Sequence, residues 1–280
     1  MKLMSFVYDA NASYGAVVDG GIVDLGRRVG ARYPDLRAAL QAEALDELRT
    51  AAAGQKPDFP LDAVTFLPVI PRPGKIICIG MNYSDKRAEW AHDKETPNLF
   101  IRFPDSQVGH GQPIVKPRVS DQLDFEGELA LIVGKAGRHI PQARALAHVA
   151  GYACYLDGSV RDWQQHSVAA GKNFPSTGGF GPWMVTTDEI PDPTRMTLIT
   201  RLNGREMQRA TTDQMIFSIP FILNYVSAFT PLAPGDVIST GSPAGVGARR
   251  DPPVWMKPGE VVEVQIDPIG TLRHPIAAEP

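Results

Sequence analysis

Two cysteines in 280 residues are too few for a disulfide framework. Cys78 and Cys154 each sit inside an apolar, strand-like run, so both are expected as buried free thiols in a reducing compartment. Charge of either sign is also in short supply. The formal net charge is −3, which removes the electrostatic case for nucleic acid or an anionic membrane surface. Basic residues form no long run, and Arg249-Arg250 reads as loop surface or as a contact to a substrate carboxylate. No apolar stretch is long enough to span a bilayer. The start, Met1-Lys2-Leu3-Met4-Ser5-Phe6-Val7-Tyr8, lacks the apolar core and cleavage site of a signal peptide, so the cytoplasm is the expected location. Internal repeats and low-complexity segments are missing as well.

Turn formers are abundant instead. With 26 glycines and 25 prolines, a β-rich fold is favoured over a helical bundle. The length suits one large domain, or a large one with a small companion. Residues 1–70 read as a small N-terminal α+β module, and residues 71–280 as the main domain. Asp19-Gly20, between β-branched residues, signals a hairpin. Leu36, Leu40, Leu45 and Leu48 predict one helix over 34–53, ended by Gly54. The proline-rich stretch 58–73 reads as the linker. Asn203-Gly204 is a second hairpin signal, and Val261 to Ile266 alternates as a strand. A helix is expected from Asp213, as its N-cap, to Phe229, with a kink at Pro220.

The chemistry concentrates at Phe125-Glu126-Gly127-Glu128, which opens the apolar run Leu129-Ala130-Leu131-Ile132-Val133. Residues two apart in a strand face the same way, so Glu126 and Glu128 share a face and repel unless a cation lies between them. Asp157 ends a second apolar run, Gly151 to Leu156, and can close a cluster of three carboxylates. Oxygen-only ligands suit a hard cation, Mg²⁺ or Mn²⁺, with Ca²⁺ as a further fit, rather than zinc. Glu-x-Glu pairs mostly lie on solvated faces, and spacing alone leaves that alternative open.

The surrounding text adds to it. Asp157-Gly158-Ser159-Val160-Arg161-Asp162-Trp163-Gln164 is followed by Gly171-Lys172-Asn173-Phe174, and later by Thr240-Gly241-Ser242-Pro243-Ala244-Gly245-Val246-Gly247. From about Lys75 to Pro275 the chain resembles the fumarylacetoacetate hydrolase family in its short bacterial, acylpyruvate-hydrolase-like form. That family carries Glu-x-Glu, Asp-x-Ser-x-Arg-Asp-x-Gln, Gly-Lys-Ser-Phe and Thr-Gly-Thr-Pro-x-Gly-Val-Gly in this order. The resemblance implies a β-rich α+β fold, a mixed β-sandwich or β-roll, often dimeric, so a homodimer is expected. It implies that Glu126, Glu128 and Asp157 are divalent-metal ligands, and that Gln164 and Lys172 are polar groups near the metal. Thr240 and Ser242 match substrate-contacting hydroxyls, Ser242 standing where threonine is usual. Tyr83 and Arg102 join them as expected substrate contacts.

One departure stands out. The family's lid reads Asn-Tyr-x-x-His-x-x-Glu, its histidine and glutamate activating water. Here Asn82-Tyr83-Ser84-Asp85-Lys86-Arg87-Ala88-Glu89 has lysine at the histidine position and keeps the glutamate. Lysine of ordinary pKa is no base at neutral pH. Lys86 is therefore expected as an electrostatic group beside Glu89, or as a base if burial lowers its pKa, with His92 as a relocated base or a plain surface residue. Met81 to Pro97 is expected to form a mobile lid. The function implied is metal-dependent hydrolysis of a C–C bond in a small 1,3-diketo acid. The alternatives are a 2-oxo acid decarboxylase, tautomerase or isomerase using the same metal–enolate chemistry, or a keto-acid-binding homologue without catalysis.

Overall fold

The computed structural model describes residues 1–90 and 96–280. Two β-sheets dominate, and their strands owe their faces to simple alternation. In Gly127–Val133 the side chains of Leu129, Leu131 and Val133 enter one core, while Ala130 and Ile132 enter another. The first core lies between the two sheets, since it also holds Leu198, Val264, Ile266 and Leu272 of the second sheet. The second core is capped by the short helices near the N-terminus through Leu36, Leu40 and Leu48. A β-rich α+β sandwich results, as expected.

The larger sheet runs in the order Phe59–Pro60, Gly21–Asp24, Asn11–Val18, Lys2–Tyr8, Gly178–Thr186, Val149–Leu156, Gly127–Val133, Val237–Ser239, Ile76–Gly80 and Asn98–Ile101. The smaller one runs Arg205–Thr211, Thr197–Leu202, Val261–Asp267, Gly270–Ala278 and Ile114–Lys116. Lys2 pairs with Val185 and Leu3 with Met184, so the N-terminal strands extend the main sheet. Residues 1–70, expected as a separate module, thus share both sheet and core with the rest. The supposed linker also pairs: Thr65–Phe66 lies against Lys2–Tyr8.

Both hairpin signals hold, with Asp19, Gly20, Asn203 and Gly204 all at positive φ. The helix expected over 34–53 is two helices, Leu36–Gln41 and Leu45–Ala52, broken where Glu43 takes φ 54°. The later helix starts further on than expected, at Ile219, capped by the Ser218 hydroxyl. Pro220 falls in its first turn, where no amide hydrogen is needed, so it opens the helix and does not kink it. Cys78 and Cys154 are buried and free. Among the described residues no helix is long and apolar enough to cross a membrane.

Candidate active site

The ends of the strands Gly127–Val133 and Val149–Leu156 are tied together where the Asp157 amide donates to the Glu126 carbonyl at 2.8 Å. That bond brings Glu126, Glu128 and Asp157 to one cavity of about 250 Å³. Lys86, Arg161, Gln164, Lys172, Ser242, Trp90, Asn98 and Phe100 complete its wall. Gly127 is needed for contact with the second sheet: a Cβ there would run into Thr200 Oγ1. Its amide donates to Gln208 Oε1 at 2.9 Å, which fixes the turn that carries both glutamates.

Cations and carboxylates alternate inside this cavity. Lys172 Nζ donates to Glu126 Oε2 at 2.6 Å, to Ser159 Oγ at 2.6 Å and to Asp157 Oδ2. Lys86 Nζ donates to Glu126 Oε1 at 2.7 Å and to Ser242 Oγ at 3.3 Å. Arg161 Nη2 lies 3.3 Å from the same Glu126 oxygen and is held by Asp124 Oδ2 at 2.8 Å. Glu128 differs: its Oε2 accepts from Ser239 Oγ and from the Gly241 amide at 3.0 Å, and among the described residues no lysine or arginine is paired to it. Burial would raise the Glu126 carboxyl, but Arg161, Lys172 and Lys86 overcome it and hold it well below its ordinary value. Burial, together with the Asp157 and Glu126 charges, pushes Glu128 up to about 8. Burial opposes the Lys172 charge too, yet Asp157 and Glu126 keep its pKa above that of a free lysine.

Several expected site residues lie behind this wall. Arg102, expected at the substrate, is fully buried and holds Asp157 Oδ1 at 2.6 Å, the Gly158 carbonyl at 3.0 Å and Thr177 Oγ1 at 3.0 Å. It positions Asp157 and does not itself line the cavity. Thr240 Oγ1 donates to the Leu129 carbonyl at 3.0 Å, so it secures the glycine-rich loop. Tyr83 is buried and bridges to Met215. Glu89, on the short helix Ser84–Glu89, accepts from the Gly245 amide at 3.2 Å and pairs with neither Lys86 nor the cavity. Of the segment expected as a lid, residues 81–90 are anchored: Asn82 bonds to Phe217 and Thr240. His92 and the rest of 91–95 lie outside the described residues.

Sequence reasoning passed over Arg161, Asp124, Ser239 and Trp90. Arg161 lies within the Asp157–Gln164 box, and an arginine next to a carboxylate cluster was the available signal. Trp90 carries two guanidiniums over its ring, Arg249 at 3.9 Å and Arg161 at 5.3 Å.

The family model for the fumarylacetoacetate (FAA) hydrolase C-terminal region matches residues 75–277. The chain belongs to the fumarylacetoacetate hydrolase family. This family member is 39% identical over 268 residues to an oxaloacetate tautomerase, FAHD2A, mitochondrial, of Bos taurus, covering 92% of this chain and 84% of that one. It is similar to the maleylpyruvate hydrolase of Sphingobium sp. SYK-6 in complex with manganese(II) ion and pyruvate: TM-score 0.85, 28% identity, 100% of both chains covered. A 5-carboxymethyl-2-hydroxymuconate delta-isomerase from Mycobacterium smegmatis superposes with TM-score 0.79 at 27% identity, again over 100% of both chains. Hydrolase, isomerase and tautomerase are thus all represented on this fold.

The cavity's fit to a divalent cation can be tested on its own charges. Among the described residues no three ligating side chains form a ready-made metal cluster, because Lys172 Nζ stands between Glu126 and Asp157. The donor set nevertheless fits a hard cation: three carboxylates at one cavity, of which Glu128 has no positive partner among the described residues and is pushed toward its neutral form. A cation beside Glu128 supplies the missing charge.

Proposed function

We propose that this family member is a divalent-metal-dependent enzyme that interconverts the keto and enol forms of a small 2-oxo diacid of the oxaloacetate type. The observation that carries this reading is the state of Lys86. At the histidine position of the lid it is only 2% exposed, and its Nζ donates to Glu126 at 2.7 Å while Glu89 turns away to Gly245. Hydrolysis needs a base to deliver water, and Lys86, a donor to Glu126 here and to a substrate carboxylate once freed, is not placed as one. A proton between two carbonyl groups is already acidic, so keto–enol exchange demands much less of a base.

The proposed roles follow. Glu126, Glu128 and Asp157 hold Mg²⁺ or Mn²⁺. Bound there, such a cation would supply Lewis acidity to a 2-oxo acid, lowering the cost of its enolate. Lys172 offsets the negative charge that develops on the enolate oxygen. Gln164 and Ser242 orient the substrate by hydrogen bonds. Arg161, and Lys86 when it is released, take the second carboxylate. Arg102 keeps Asp157 in place without touching substrate. The likeness to the bovine tautomerase supports this reading. The likeness to a maleylpyruvate hydrolase carrying manganese and pyruvate favours a second one, C–C cleavage of an acylpyruvate. The homodimer expected from the family motifs belongs to the proposal as well, and light scattering measures it.

An assay panel separates the readings. Oxaloacetate and other 2-oxo diacids, and acylpyruvates, are incubated with protein and Mg²⁺ or Mn²⁺. Enol absorbance and product acids are followed together. Rapid metal-dependent enol decay without cleavage products is expected. Cleavage of an acylpyruvate with no effect on enol decay replaces this reading by the hydrolase.

A further inference from the structure

Glu126 is the most heavily partnered carboxylate of the cavity. Its Oε1 accepts from Lys86 Nζ at 2.7 Å and from Ser242 Oγ at 3.0 Å, with Arg161 Nη2 at 3.3 Å. Its Oε2 accepts from Lys172 Nζ at 2.6 Å and from Ser159 Oγ at 2.7 Å. A metal ion approaching this carboxylate must displace a cation, and the three cations are not held equally. Lys172 is also fixed by Asp157 and Ser159. Arg161 is fixed by Asp124 at 2.8 Å and by Gln164 Oε1 at 3.2 Å. Among the described residues the Lys86 ammonium has one further hydrogen bond, to the Ser242 hydroxyl at 3.3 Å, and its long stem leads into the cavity. It is the cation that gives way. Two of the positions at which the chain departs from the family's motifs, Lys86 and Ser242, touch each other here.

We propose that Lys86 is an internal counter-ion of Glu126 that a divalent cation displaces, so that cation binding releases the Lys86 ammonium to receive the substrate's second carboxylate. The proposal rests on the reading of Glu126, Glu128 and Asp157 as cation ligands. Two consequences follow. Without metal, the buried glutamate is neutralised from within the chain, at the expense of metal affinity. With metal, the freed ammonium adds a further unpaired positive group to the cavity, so metal precedes substrate in the order of binding.

Isothermal titration of Mn²⁺ into the substrate-free protein tests this, with folding checked by circular dichroism. Removing one unit charge a few ångströms from the bound ion predicts binding about tenfold tighter or more in Lys86→Met and Lys86→Gln. Lys86→Arg, which keeps the charge, stays within about threefold of wild type on the same argument. Equal or weaker Mn²⁺ binding by a folded Lys86→Met or Lys86→Gln overturns the proposal. In wild type itself, Mg²⁺ should shift the ammonium signal of Lys86 in a nitrogen-labelled lysine spectrum, assigned through Lys86→Arg. An unmoved signal overturns the proposal even where the other variants do not fold. Failure of the underlying reading looks different: neither wild type nor any variant binds Mn²⁺, or binding is untouched by Asp157→Asn.

Discussion

Glu128→Gln should stabilise the metal-free protein, and the gain should grow with pH. Glu128 is 3% exposed, and burial beside Asp157 and Glu126 pushes its carboxyl up to about 8. The folded state therefore prefers the protonated acid, whereas the unfolded chain ionises near the ordinary glutamate value of about 4.3. With the folded value above the unfolded one, the protonated acid's contribution is full below about pH 4 and is lost as pH rises toward and past 8. At about 1.4 kcal/mol per pH unit, the mismatch costs roughly 4 kcal/mol at pH 7 and roughly 5 kcal/mol at pH 9. Glutamine cannot ionise, and its carbonyl can still accept from Ser239 Oγ and the Gly241 amide. Urea unfolding in EDTA at pH 5, 7 and 9 measures the effect. The midpoint difference between variant and wild type should be small at pH 5 and several-fold larger at pH 9. Mn²⁺ should reverse the order, stabilising wild type and leaving Glu128→Gln unmoved. If the difference does not change with pH, Glu128 is not the uncompensated acid of the site.

Arg102→Met should cost about 3–5 kcal/mol in urea unfolding, because it leaves Asp157 buried without its guanidinium partner; a loss below about 1 kcal/mol would mean that Lys172 alone holds that carboxylate. His274 should make the fold acid-sensitive. It is 1% exposed, and burial pushes its imidazole down to about 4, so the unfolded chain takes up a proton from about pH 6.5 downward and the folded protein does not. Stability should fall by about 3 kcal/mol between pH 6.5 and 4 relative to His274→Leu, and parallel pH profiles for the two proteins would refute it.

Local sequence carried what depends on local chemistry. Asp19-Gly20 and Asn203-Gly204 bent as their positive φ angles require, and the alternation of Leu129, Leu131 and Val133 against Ala130 and Ile132 gave the strand its two faces. Three carboxylates, Lys172, Gln164, Lys86 and Ser242 do line one cavity. Pairings across long stretches of chain had no local signal. Nothing near Lys2 indicates Val185, so a strand that completes the main sheet read as the start of a separate module. The break at Glu43 was hidden because leucines on both sides keep one helical period across it. At the site, residue type fixed chemistry but not direction. Arg102 and Thr240 are of substrate-binding type, yet both spend their donors on the wall: Arg102 on Asp157 and Thr177, Thr240 on Leu129. Lys86 illustrates the same point in reverse. Sequence placed it beside Glu89, three residues further along one helix, but the helix starts at Ser84 and directs Lys86 inward while Glu89 meets the Gly245 amide. A lysine directed into a cavity of carboxylates pairs with one of them, here Glu126, and only the fold reveals which.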